Sequence, residues 1–236
     1  MSGEIRRAVL FDLDGTLLDT APDLAGAVND MRVDRGLARL PLADLAPMCS
    51  FGGRGMLGKG LGLAPEDDGY GETFDAFVER YRQRMTRDTR PFTGMRDLIR
   101  DIDAAGYAWG VVTNKMEALA VPLMDAMAFD PVPGCVVGGD SAGVAKPDPA
   151  PLFLACDQLG VSTTDCIYIG DSDRDIDAGR AAGMATIGTA YGYIPPGDDI
   201  HGWQADRVVE DVAGLLAAIT ALMAQHPHNS FKTPIS

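Results

Sequence analysis

The stretch that decides the fold is Ala8-Val-Leu-Phe11, followed at once by Asp12-Leu-Asp14-Gly-Thr16. A short apolar run cut off by a polar turn has the form of a buried strand. Three later runs repeat it: Ala108-Trp-Gly-Val-Val112, Cys135-Val-Val137 and Cys166-Ile-Tyr-Ile169. Two further strands are predicted at 185–188 and 207–209. Between the runs lie helical patterns at 94–105, closed by Gly106, and at 173–182, closed by Gly183, with a last helix at 211–224. Strands alternating with helices predict an α/β fold, a three-layer doubly wound parallel sheet of Rossmann-like type.

The segment 20–88 breaks this rhythm. It offers no strand, only helical stretches such as Asp23–Arg35 and Glu72–Met85. It is expected to form a small helical cap inserted after the first strand. Residues 1–19 and 89–225 then make the α/β core, and 226–236 a disordered tail.

The chain has 236 residues, 46% of them hydrophobic, enough for one sizeable core or a core with a smaller partner. Acidic residues outnumber basic ones 34 to 20, so nucleic acid and anionic membranes are not expected partners. Cys49, Cys135, Cys156 and Cys166 include no C-x-x-C pair and read as buried small hydrophobes. With no apolar run of spanning length and no leader pattern, a cytoplasmic location is expected. Oligomeric state leaves no trace in the sequence.

Ligands of open α/β sheets bind beyond the carboxyl ends of the strands, and four of these strands end in polar clusters. In Asp12-Leu-Asp14-Gly-Thr16 two carboxylates enter one crevice, where one suits nucleophilic attack and the other proton transfer. Thr16 adds a hydrogen-bond donor. Thr113-Asn114 fits either phosphate oxygens or a helix cap. Lys146-Pro-Asp-Pro149 holds a lysine in a rigid loop, although a lone surface lysine looks the same. Gly170-Asp-Ser-Asp-Arg-Asp175 has more acids than helix capping needs, and Asp171 and Asp175 share one face, as suits a hard cation. Asp12, Asp14, Asp171 and Asp175 cannot converge on a phosphate dianion unaided. Mg²⁺ and Lys146 together would supply the missing positive charge.

In order and spacing the four clusters resemble the motifs of the haloacid-dehalogenase superfamily of phosphatases, over nearly the whole chain. The resemblance implies Asp12 as nucleophile, Asp14 as general acid and then base, and Thr113, Asn114 and Lys146 as phosphate ligands. It implies Mg²⁺ held by Asp12, the Asp14 carbonyl and Asp171, with Asp175 in support behind them. Thr20-Ala-Pro-Asp-Leu24 and Tyr191-Gly-Tyr193 are similar to the phosphoglycolate phosphatases. Trp109–Lys115, Tyr191–Pro195 and Trp203–Asp206 resemble a branch acting on N-acetylmuramic acid 6-phosphate. The expected partner is thus a small phosphorylated metabolite.

Other readings fit less well. Gly53-Arg-Gly-Met-Leu-Gly-Lys59 approximates a P-loop, but Gly60 stands where Ser or Thr should ligate magnesium and no strand precedes it. The stretch reads instead as a flexible cap loop. From it Arg54 would reach a substrate carboxylate or phosphate, or else remain solvated. Cys49 and Arg54 are one residue too close for a cysteine phosphatase, and His201, His226 and His228 lie far from every cluster. A non-enzymatic phospho-aspartate receiver needs no cap and lacks an acid placed like Asp14. A sugar phosphomutase shares all four clusters.

Overall fold

The computed structural model describes residues 7–225. The predicted tail 226–236 lies outside the described residues. β1 (Ala8–Phe11) is followed by a short β2 (Leu18–Asp19), then by α1 (Ala21–Asp34), α2 (Leu42–Leu45), α3 (Gly52–Leu61) and α4 (Tyr70–Arg82). β3 (Arg90–Pro91) returns antiparallel to β2 through Leu18↔Pro91 and Asp19↔Arg90. Alternation then resumes with α5 (Met95–Ala104), β4 (Ala108–Val112), α6 (Glu117–Met127), β5 (Val136–Val137) and α7 (Ala150–Leu159). The described residues close with β6 (Cys166–Gly170), α8 (Asp173–Ala181), β7 (Ala185–Thr189), β8 (Arg207–Val209) and α9 (Leu215–Gln225).

Six strands form one parallel sheet in the order β5-β4-β1-β6-β7-β8. β1 sits centrally, with Ala8 opposite both Ala108 of β4 and Cys166 of β6. All four β1 side chains are buried because successive residues face opposite covered sides. Val9 and Phe11 join a core with Ile99 of α5 and Ile219 of α9. Ala8 and Leu10 join another with Leu152 of α7 and Ala178 of α8. The carboxyl ends of β1, β4 and β6 therefore lie side by side where the topology reverses. The last helix begins at Leu215, later than its apolar pattern suggests, because a 3-10 turn over Val212–Gly214 precedes it, with the Asp211 carboxylate accepting from Gly214 N at 2.9 Å. All four cysteines are buried and free.

Between β2 and β3 the described chain is helical. One expectation fails here: Gly52–Leu61 is the helix α3, not a flexible loop. Glycines are poor helix formers, so packing must compensate. A Cβ on Gly60 would come within 2.3 Å of Val28 Cγ2 on α1, and one on Gly53 within 2.7 Å of Phe74 Cε2 on α4. The glycines thus allow close helix approach. Asp23 closes the base of the helical segment: its Oδ2 accepts from Asp88 N at 3.0 Å, Thr89 N at 2.9 Å and Thr89 Oγ1 at 2.9 Å. Arg84 lies against the same carboxylate and donates to Asp30 at 2.7 Å. No described helix is long and apolar enough to cross a membrane.

Candidate active site

Asp12, Asp14, Thr113, Asn114, Lys146, Asp171 and Asp175 all line one cavity of about 980 Å³ beyond the carboxyl ends of β1, β4 and β6. Thr16 lies behind it, fully buried, and donates to Asp171 Oδ1 at 3.1 Å. Gly15 turns the chain after β1 with φ +87°, a conformation that side chains disfavour. Space demands glycine too, since a Cβ there would stand 2.1 Å from Asp171 Oδ2.

Lys146 is the hub of the site. Its ammonium donates to Asp12 Oδ1 at 2.8 Å, Asp175 Oδ1 at 2.7 Å, Tyr168 Oη at 2.6 Å and the Val112 carbonyl at 3.0 Å. Burial works against this ammonium, but Asp12 and Asp175 outweigh it and hold its pKa above the ordinary lysine value. Asn114 fixes the same loop: Nδ2 donates to the Lys146 carbonyl at 3.0 Å, and Oδ1 accepts from Lys146 N at 2.9 Å. It caps no helix, because α6 begins only at Glu117 with no side-chain cap. Thr113, at the end of β4, is buried, and its Oγ1 accepts from Lys115 N at 3.2 Å.

Asp175 is drawn inward by a capping box. Ser172 N and Oγ donate to its Oδ2 at 3.0 and 2.9 Å, leaving Oδ1 for Lys146. The S-x-x-D spacing announces that box in the sequence. Asp171 is fixed by Thr16 and by Tyr193 N, which donates to Oδ2 at 2.6 Å.

Carboxylate oxygens of Asp12, Asp171 and Asp175 lie within 4.8 Å of one another. Burial above all pushes the Asp12 carboxyl up to about 6, despite the opposing pull of Lys146. Burial and then the neighbouring Asp12 and Asp175 drive Asp171 well above the ordinary range. Three carboxylates against one ammonium leave the cluster two positive charges short. An all-oxygen donor set with that deficit fits a hard divalent cation.

Two further residues have roles in the site that the sequence does not show. Lys115 donates to both oxygens of Asp14 at 2.8 Å, and its ammonium lies 4.7 Å from the centre of the Tyr81 ring on α4. Asp14 also accepts from Thr20 Oγ1 at 2.6 Å. Tyr193 Oη accepts from Thr20 N at 2.7 Å and Ala21 N at 2.8 Å, and donates to Asp19 at 2.7 Å, so it pins the start of α1. Both pairings span more than a hundred residues, beyond any local pattern.

Residues 9–189 match the family model described as haloacid dehalogenase-like hydrolase. The chain belongs to that family. Among curated relatives of this hydrolase, a phosphoglycolate phosphatase of Xanthomonas campestris pv. campestris is 42% identical, covering 86% of this chain and 92% of its own. An N-acetylmuramic acid 6-phosphate phosphatase of Pseudomonas putida is 39% identical over 86% of this chain and 92% of its own. Among solved structures, a predicted phosphoglycolate phosphatase from Haemophilus somnus superposes with a TM-score of 0.78 at 26% identity, covering 92% of this chain and all of that one.

Proposed function

We propose that this hydrolase is a phosphomonoesterase acting through an aspartyl-phosphate intermediate on Asp12. The observation that carries the reading is the meeting of Asp12, Asp171 and Asp175 with Lys146 at adjoining strand ends in one cavity. Asp12 attacks phosphorus, forming an O–P bond as the ester O–P bond breaks. Asp14 hands its proton to the leaving alkoxide. It then removes a proton from water, whose oxygen attacks phosphorus and frees both phosphate and the Asp12 carboxylate. Lys146 and Thr113 neutralise and orient the phosphoryl oxygens, while Asn114 fixes Lys146 by its main chain. Asp12, Asp171 and the Asp14 carbonyl would hold Mg²⁺, with Asp175 and Thr16 behind them; the cation supplies charge that offsets the carboxylates and the phosphate.

In this reading residues 20–88 are the cap, and 1–19 with 89–225 the core. The cavity is many times larger than a two-carbon phosphate ester, and Leu24, Phe74, Phe77 and Val78 give it an apolar wall. Both features favour the amino-sugar ester named by the Pseudomonas relative over phosphoglycolate. Each of these esters carries a carboxylate, and Arg54, lining the cavity from α3, is one of the cations that face it. The test is phosphate release over a panel of metabolite esters with and without Mg²⁺. Preferred turnover of N-acetylmuramic acid 6-phosphate is expected. A strong preference for phosphoglycolate would overturn the substrate assignment, and release from no ester would overturn the function.

A further inference from the structure

The two cations deepest in the cavity are committed, Lys146 to Asp12 and Asp175 and Lys115 to Asp14. In a chain with 34 acidic and 20 basic residues, three more cations nevertheless line the same cavity: Arg54, Lys59 and Arg174. Arg54 and Lys59 stand on exposed positions of α3. Arg174 is different, because its position is set.

Arg174 lies on the first turn of α8, directly before Asp175. Its Nη2 donates to the Ser50 carbonyl at 2.6 Å and to Ser50 Oγ at 3.3 Å, and its guanidinium stands 5.7 Å from the Phe51 ring centre. Ser50 and Phe51 belong to the helical segment, so the side chain bridges that segment and the sheet domain. Its nearest acid, Asp173, is 3.9 Å from Nη1, beyond hydrogen-bonding distance. Nε and Nη1 make no hydrogen bond among the described residues, and the side chain is 29% exposed. Four features therefore coincide in one residue: a fixed guanidinium, unused donors, partial burial and a place on the substrate cavity.

We infer that Arg174 is a specificity-determining residue that binds a second anionic group of the substrate, a carboxylate, at the seam between α8 and the helical segment. The inference rests on the phosphomonoesterase reading and deepens it. Lys146, which takes the phosphoryl group in that reading, and Arg174 line the same cavity. A guanidinium already held on Ser50 through Nη2 loses little freedom on binding, and its Nε and Nη1 stay available to donate to an anion. Arg54 and Lys59 add positive charge on the α3 side of the same cavity.

The experiment compares N-acetylmuramic acid 6-phosphate with N-acetylglucosamine 6-phosphate, the same amino-sugar ester without the lactyl carboxylate. It uses the full chain with Mg²⁺, in the wild type, Arg174→Gln and Arg174→Lys. The wild type should favour the carboxylate ester. In Arg174→Gln that preference, as a ratio of kcat/KM, should fall about 10–100-fold, the range of a charged hydrogen bond, with the change carried by KM. Arg174→Lys should lose part of it, because the charge stays but the donors held in place by Ser50 go. A preference unchanged in both variants, or equal losses on the two esters, would overturn the inference. So would a wild type that hydrolyses both esters alike, which would leave the phosphomonoesterase reading standing. A wild type that releases phosphate from neither, nor from p-nitrophenyl phosphate, would remove both.

Discussion

Raising the pH should destabilise the metal-free protein, and Mg²⁺ should reverse the loss. The perturbation acts on the carboxylate cluster. Asp12 is raised from 3.8 to about 6, chiefly by burial. Between these values the folded chain binds more protons than the unfolded one, so stability falls as pH rises through that window. The displacement of Asp12 corresponds to about 3 kcal/mol. Asp171 moves in the same direction, from burial and from Asp12 and Asp175, and so carries the loss further up the pH scale. A cation bound only by the folded state restores ~2.7 kcal/mol at a hundredfold excess over its Kd. At ~2–4 °C per kcal/mol for a chain of this size, Tm should rise by about 5–10 °C. Thermal melts of EDTA-treated protein, with and without Mg²⁺ near neutral and acidic pH, measure it. The gain should be larger near neutrality, where no proton competes for the ligands. Asp171→Asn should lose most of it. A Tm indifferent to Mg²⁺ near neutrality, or a larger gain in acid, would refute the reasoning.

Asp14→Asn should cost ~10²–10⁴-fold in kcat on alkyl phosphates and much less on p-nitrophenyl phosphate, whose leaving group needs no proton. Equal losses on the two, measured by steady-state kinetics, would argue against proton transfer by Asp14. Tyr193→Phe leaves the Thr20 and Ala21 amides without their acceptor in a buried place, so denaturant melts should show a loss of about 1–3 kcal/mol. Gly60→Ala pushes a methyl group into Val28 and should destabilise by ~1–3 kcal/mol despite the better helix propensity of alanine. A stabilised Gly60→Ala variant would show that α3 is not packed as described.

The sheet was legible because buried parallel strands announce themselves as apolar runs, as in Ala8–Phe11 and Cys166–Gly170. The polar strand ends were legible because carboxylates directly after such runs have few structural uses. α3 was not: glycines at 52, 53, 55, 58, 60 and 62 read as flexibility, whereas those at 53 and 60 serve contacts with α4 and α1 that only the tertiary structure creates. Asn114 was placed near the right atoms, but its amide is spent on the main chain of Lys146, thirty-two residues away. Lys115 and Arg174 stayed hidden for a related reason. A charged residue beside a motif looks solvated until its partners, Asp14 and Ser50, are brought to it by the fold.

A phosphoryl group carried by Asp12 is open to direct measurement. Protein quenched in acid during steady-state turnover of a good substrate, digested and analysed by mass spectrometry, should yield the peptide spanning Asp12 with one added phosphoryl group. The label should vanish after hydroxylamine treatment and be absent from Asp12→Asn, which should also lack turnover. A phosphoryl group on another residue, or Asp12→Asn protein that still turns over substrate, would contradict the account.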